Sequence, residues 1–168
     1  MKRYLLALVF AGLVSAAHAD EKVTLSGIHN CCGKCSAVIN KTVGGVAGVT
    51  ADLADDKISL SAANTGDLQK AVDALVAAGF GGTSDNAAVK VNAVAGPDET
   101  VTSLTVSGTH LCCGSCVKAA KAAVKSVPGV TSDTIAAGAK SFKVEGEFNG
   151  KALMEALAKA GFTGTATK

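Results

Sequence analysis

The chain has no tryptophan, and its single arginine and single tyrosine, Arg3 and Tyr4, both lie at the N-terminus. Of the 16 Lys and Arg residues, Lys2 and Arg3 precede residue 20, so the remainder carries 14 lysines against 14 acidic residues. Nucleic-acid-binding proteins usually present a basic face with arginines and with aromatic rings that stack on bases. With no net formal charge and neither of these features after residue 19, we expect no nucleic-acid partner.

The chain also lacks an apolar run of the length that crosses a bilayer, which is about 20 residues. The run at 5–14 is too short. It follows the basic residues Lys2 and Arg3 and precedes the small-residue cleavage signal Ala17-His18-Ala19. This is the layout of a secretory signal peptide, so we predict that residues 1–19 are removed before Asp20. The mature protein is then expected in the periplasm or secreted, and not associated with a membrane.

No arrangement of general acid, general base or activated serine is visible, and the carboxylates are scattered over expected surfaces. We therefore expect a binding protein and not an enzyme. The alternative is a thiol–disulfide oxidoreductase, because the pairs Cys32-Gly33-Lys34-Cys35 and Cys113-Gly114-Ser115-Cys116 have the spacing of thioredoxin-type sites. Against that alternative, each repeat is short for a thioredoxin fold and has no tryptophan beside the pair.

An internal repeat organises the chain. With a shift of 81 residues, the first strand, the cysteine motif and the following helix of one half match those of the other. After a one-residue insertion, Ala78-Gly79-Phe80 matches Ala160-Gly161-Phe162. We predict two domains, at 20–84 and 104–168, joined by a linker at 85–103 that contains the turn sequence Gly96-Pro97.

Each repeat reads β-α-β-β-α-β. The first strand alternates apolar and polar residues, as Val23 and Leu25 show, and the helices carry apolar residues at helical spacing. Gly48 and Pro128-Gly129 are expected to end the first helix of each repeat, and Thr65 and Asn149 to cap the second. The fold class is therefore predicted as α+β, two tandem ferredoxin-like lobes, each an antiparallel sheet with two helices on one face.

The motif His-x-Cys-Cys-Gly-x-Cys occurs once in each repeat and contains every cysteine, and every histidine beyond residue 19. The exposed N–H groups at a helix start favour thiolate, and paired thiolates bind soft metal ions. One Cys₃His set in each repeat would also suit Zn(II). We predict one metal site per lobe, holding Cu(I) or Zn(II), or else Cd(II) or Hg(II). The candidate ligands are His29, Cys31, Cys32, Cys35, His110, Cys112, Cys113 and Cys116.

Both repeats resemble heavy-metal-associated domains, the module of copper chaperones, metal-pumping ATPase N-termini and periplasmic mercury-binding proteins. The resemblance implies metal binding by the two cysteines of each CxxC, with a metal transporter or acceptor protein as a partner. The family motif is G-M-x-C-x-x-C. Here four residues separate Gly27 from Cys32, Ile28 stands in place of the methionine, and His29 and Cys31 are additional.

Several alternatives stay open at this stage. The CxxC pairs are read as metal ligands or as a disulfide in each lobe. His29 and His110 are read as ligands or as loop residues. The third cysteine of each repeat, Cys31 or Cys112, either binds metal, bridges the lobes or forms a dimer.

Overall fold

The computed structural model describes residues 20–168. The predicted signal peptide at 1–19 lies outside the described residues. The first lobe comprises β1 Glu21–Ser26, α1 Gly33–Gly44, β2 Val49–Ala54, β3 Lys57–Ala62, α2 Thr65–Ala77 and β4 Thr83–Ser84. The second lobe comprises β5 Thr100–Ser107, α3 Gly114–Lys125, β6 Val130–Asp133, β7 Ser141–Asn149, α4 Gly150–Lys159 and β8 Thr165–Thr167.

Each lobe is a four-stranded antiparallel sheet with two helices. The strand orders are β2-β3-β1-β4 and β6-β7-β5-β8. This is the ferredoxin-like α+β plan predicted from the repeat. Because successive side chains of a strand point to opposite faces, Val23 and Leu25 of β1 lie beside Leu60 and Ile58 of β3 on one buried face. The helices cover that face with Ile39 and other buried apolar residues.

The ends of the helices differ from the prediction in three places. α1 ends at Gly44 and α3 at Lys125, before Gly48 and Pro128-Gly129, which lie in the turns that follow. The cap of α2 is Asn64 and not Thr65, because the Asn64 side chain accepts a hydrogen bond from the Asp67 backbone N–H at 2.9 Å. Asn149 caps α4 as predicted, accepting from the Ala152 N–H.

The predicted linker at 85–103 is shorter in the structure. β5 begins at Thr100, because Thr100 and Val101 extend the ladder with β7. Earlier in the segment Val89 is buried, and the Gln69 side chain bonds both the N–H and the C=O of Lys90. The Lys151 N–H donates to the Pro97 carbonyl at 2.9 Å. The connection is therefore packed on the lobes and is not a free tether.

Within residues 20–168, none of the helices has the length and apolarity that crossing a membrane requires.

Candidate metal centre

The cysteine motif of each lobe lies between the first strand and the first helix. In the first lobe, β1 ends at Ser26, and Gly27 turns the chain with a φ of 75° that favours glycine. Cys32 is the residue before α1, and Cys35 lies in the first turn of that helix. Gly108, Cys113 and α3 repeat the arrangement in the second lobe. Both motifs therefore present sulfur at a helix N-terminus, as the sequence predicts.

The two lobes contact each other through the repeated Ala-Gly-Phe segments. Phe80 and Phe162 form an antiparallel bridge. The Gly81 N–H donates to the Gly161 carbonyl at 2.9 Å, and the Thr163 N–H donates to the Gly79 carbonyl at 3.1 Å. The Thr163 side chain, which is buried, donates to the Val76 carbonyl at 2.8 Å. These bonds join the segments that follow α2 and α4.

The histidine of each motif stacks on the phenylalanine of the opposite lobe. His29 lies against Phe162 and His110 against Phe80, each with a ring-centroid distance of 4.5 Å. Because each histidine contacts a phenylalanine of the other lobe, the loop that carries the motif reaches across to that lobe. As a consequence, the two cysteine motifs face one another.

All six sulfurs meet in one cluster between the lobes, called here the six-sulfur cluster. Its members are Cys31, Cys32, Cys35, Cys112, Cys113 and Cys116. The shortest separations between sulfurs of different lobes are 3.4 Å, from Cys31 to Cys113 and from Cys35 to Cys112. Within the CxxC pairs the sulfurs lie 3.9 Å apart for Cys32 and Cys35. The corresponding distance for Cys113 and Cys116 is 3.6 Å. All six residues are free thiols.

Burial differs across the cluster and sets the pKa of each thiol. Cys35 and Cys116 have no exposed surface, whereas Cys31 is exposed as a residue. Desolvation of the sulfur and hydrogen bonds among the thiols raise the pKa of Cys31 and of Cys112 far above the usual value. Desolvation also raises the pKa of Cys116. These three groups favour the neutral thiol until a cation is present.

The cysteines directly before the helices behave in the opposite way. The backbone N–H groups of Cys35 and Lys34 point at the Cys32 sulfur and lower the pKa of that thiol. The Cys116 N–H and the Cys31 thiol lower the pKa of Cys113 to about 6. Hydrogen bonds to a thiolate favour the charged form, so Cys32 and Cys113 supply the first negative charges of the cluster.

His29 borders the cluster, and both motif histidines have lowered pKa values that favour the neutral ring. Burial is the main cause that lowers the pKa of His29, followed by repulsion from His110, and burial lowers the pKa of His110. A ring nitrogen of His29 lies within 4.8 Å of the sulfurs of Cys31 and Cys116, which belong to different lobes. The Nε2 atoms of His29 and His110 are buried with no hydrogen-bond partner among the described residues. Their free lone pairs or protons suit a cation or a water at this border.

The structure thus brings the six predicted cysteine ligands and His29 to one place, and in this it differs from the expectation of a separate site in each lobe. The spacing of the ligands within one motif predicts a chelate in that motif, but it does not predict where the other motif lies. Sequence reasoning missed the roles of Gly79, Phe80, Gly161 and Phe162 in joining the motifs, since the Ala-Gly-Phe segments served only to align the two repeats. The available signal was the repeated Ala-Gly-Phe together with an odd number of cysteines in each motif.

Comparison with known proteins gives a family match for the second lobe. Residues 103–163 match the model of the heavy-metal-associated domain. Among solved structures, the chain aligns with the N-terminal soluble domains of Bacillus subtilis CopA at 16% identity, over 89% of this chain and 95% of that one. The TM-score of 0.30 is too low to establish a common arrangement of the two chains. No curated protein matches the chain.

The second lobe is therefore similar to a heavy-metal-associated domain over residues 103–163. The family model does not extend to the first lobe. That lobe has the same strand order and the same cysteine motif, so it is a structural repeat of the second lobe.

One prediction follows from the lowered pKa of Cys113. In the reduced, metal-free protein, the rate of Cys113 alkylation by iodoacetamide should rise with pH around a midpoint of about 6, because the thiolate is the nucleophile. Cys112, whose pKa is raised, should react slowly at neutral pH. Peptide mapping after brief alkylation measures both rates. A midpoint for Cys113 near the ordinary thiol value of about 8.5 would contradict the described geometry.

Proposed function

We propose that this protein is an exported metal-binding protein that holds soft or borderline metal ions, of the class Cu, Zn, Cd or Hg, in the six-sulfur cluster. The observation that carries the proposal is the convergence of both motifs on one set of thiols. Metal-binding function is the coarser conclusion supported by the domain match of the second lobe. The proteins of this family that the sequence resembles sequester metal or pass it on, and both roles are proposed here.

The chemistry of the donors supports a soft ion. Cysteine thiolates select Cu(I), Zn(II) and related ions over hard cations such as Mg²⁺ and Ca²⁺. The two helix N-termini add backbone N–H groups and the positive ends of two dipoles, and neither first turn contains an acidic residue. A negatively charged metal–thiolate group is therefore stabilised where it would form.

Export and transfer belong to the same proposal. The predicted signal peptide at 1–19 would place the protein in the periplasm or outside the cell. Cys31 is the exposed member of the cluster, so it offers a route by which a metal acceptor or transporter exchanges ions with the site. Thiolate ligands can be exchanged one at a time, which lets metal pass between proteins without release.

Native mass spectrometry tests the proposal. The protein is purified anaerobically from its own compartment without chelator, beside the double variant Cys32→Ser/Cys113→Ser. We expect bound metal in the wild type and its loss in the double variant. Ser115→Ala is the matched control, because Ser115 lies between the cysteines of its pair and its backbone N–H is retained. A reduced wild type that refuses every thiophilic ion would contradict the proposal.

The oxidoreductase alternative is favoured by one observation, the low pKa of the Cys113 thiol beside Cys116 at 3.6 Å. Oxidation of this pair would remove two hydrogens and form one disulfide. If the purified protein carries that mass loss in place of metal and reduces insulin with turnover, the redox function replaces metal binding. We expect neither result.

A further inference from the structure

The six sulfurs occupy the corners of a distorted octahedron. Each sulfur lies next to every other sulfur except one. Most neighbouring pairs are 3.4–4.0 Å apart. The pairs Cys31–Cys32 and Cys112–Cys113 lie within 4.8 Å. Three pairs of sulfurs are not neighbours: Cys31 and Cys112, Cys32 and Cys116, and Cys35 and Cys113. Because each sulfur occurs once among these pairs, they are opposite corners.

The edges of the octahedron are too short for a two-coordinate metal. With metal–sulfur bonds of about 2.3 Å, a planar trigonal site spaces its sulfurs about 4.0 Å apart, and a linear site spaces them about 4.6 Å apart. The CxxC separations of 3.9 Å and 3.6 Å are too short for the linear site. A single ion on one face of the octahedron would therefore be bound by three sulfurs, which Cu(I) accepts readily.

The same arrangement disagrees with a pair of tetrahedral zinc ions. When two zinc tetrahedra share an edge, two sulfurs bridge the ions and four are terminal. The only long sulfur–sulfur separations then join terminal sulfurs of different ions, so each terminal sulfur has two distant partners. In the six-sulfur cluster every sulfur has one opposite partner, and none is set apart as a bridge. The number of thiols would suit a dinuclear zinc site, but their positions do not.

Resting on the proposed metal-binding function, we propose that the six-sulfur cluster holds four copper(I) ions on alternate faces of the octahedron. Each ion is bound by three thiolates, and each thiolate bridges two ions. One such set of faces is Cys31-Cys32-Cys35, Cys31-Cys113-Cys116, Cys32-Cys112-Cys113 and Cys35-Cys112-Cys116. Three of these four faces take sulfurs from both lobes, so neither lobe alone assembles the group.

The charge of such a group suits its surroundings. Six thiolates and four Cu(I) ions carry two net negative charges, and the cluster lies at the positive ends of α1 and α3. Forming it releases protons from the thiols that burial keeps neutral, including Cys31 and Cys112. The rings of Phe80 and Phe162 pack on the motif histidines, which restricts the approach of dissolved oxygen, the oxidant of Cu(I), on that side of the cluster.

Anaerobic Cu(I) titration followed by native mass spectrometry tests the stoichiometry. The reduced wild type should pass from the metal-free to the four-copper form with little of the one-, two- and three-copper forms. X-ray absorption at the copper edge should give three sulfurs at about 2.3 Å and a short copper–copper vector. This second measurement uses the wild type alone, so it does not depend on whether a variant folds.

The variants Cys31→Ser and Cys112→Ser test whether the ions are shared. Either substitution should remove the four-copper form, although the two cysteines lie in different lobes. Ala37→Ser, which adds a hydroxyl on the exposed side of α1, is the control and should keep four ions.

If the protein binds one ion in each lobe and each variant loses only its own ion, the cluster is overturned and metal binding stands. If the wild type binds no Cu(I) or any other thiophilic ion, the proposed function fails with it.

Discussion

Gly161→Ala should separate the two cysteine motifs, whereas Gly48→Ala should leave them together. Gly161 has a φ of 84°, and a Cβ there would overlap the backbone of Gly27 and His29 in the other lobe. Gly48 has a φ of 76° with open space around the Cβ position. Both substitutions place an L side chain in the left-handed region, at a cost of about 1–2 kcal/mol. Only Gly161→Ala adds a clash between the lobes.

Urea unfolding and Cu(I) titration of both variants measure the difference. We expect Gly48→Ala to lose about 1–2 kcal/mol of unfolding free energy and to bind metal as the wild type does. We expect Gly161→Ala to lose more and to bind fewer ions, because its motifs no longer meet. If the two variants lose equal stability and both keep the wild-type stoichiometry, the described contact between lobes is wrong.

Phe162→Ala should cost about 3–5 kcal/mol, the usual loss when a buried phenylalanine is truncated. Phe162 is 1% exposed, and its ring stacks on His29 of the first lobe. The truncation therefore removes core packing in the second lobe together with one of the two stacked rings at the border of the six-sulfur cluster. Phe148→Ala is the matched control, because Phe148 is equally buried and lies on β7.

Thermal unfolding measures the stability of these two variants, and alkylation of Cys35 measures access to the cluster. Both variants should unfold at lower temperature. Only Phe162→Ala should increase the alkylation of Cys35, which has no exposed surface in the folded protein. Equal alkylation in both variants, under conditions where both are folded, would show that the stacked rings do not close the site.

Local features of the chain could be predicted from its sequence because their causes are local. Alternation at Val23 and Leu25 predicts β1, and the side chain of Asn149 predicts the start of α4. The repeat then predicts two copies of the same fold. Helix ends were less accurate, since α1 stops at Gly44, several residues before Gly48.

The joining of the two motifs could not be predicted in the same way. It depends on bonds between residues far apart in the chain, such as Gly81 to Gly161, and on the exchange of stacked rings between lobes. A pattern within one repeat carries no information about the orientation of the other. The sequence therefore predicted the residue types of the site and left open whether Cys31 and Cys112 bind, bridge the lobes or form a dimer.

Pulse alkylation at half-saturating Cu(I) tests the central claim, that the cysteines of both repeats form one site. The reduced protein is mixed with half the Cu(I) that saturates it and then treated briefly with excess N-ethylmaleimide. Mass spectrometry of the denatured chain counts the labels. A single shared site predicts two populations, one with all six cysteines labelled and one with none. A major population with three labels, located in one lobe, would show that the lobes bind metal independently and would contradict the account.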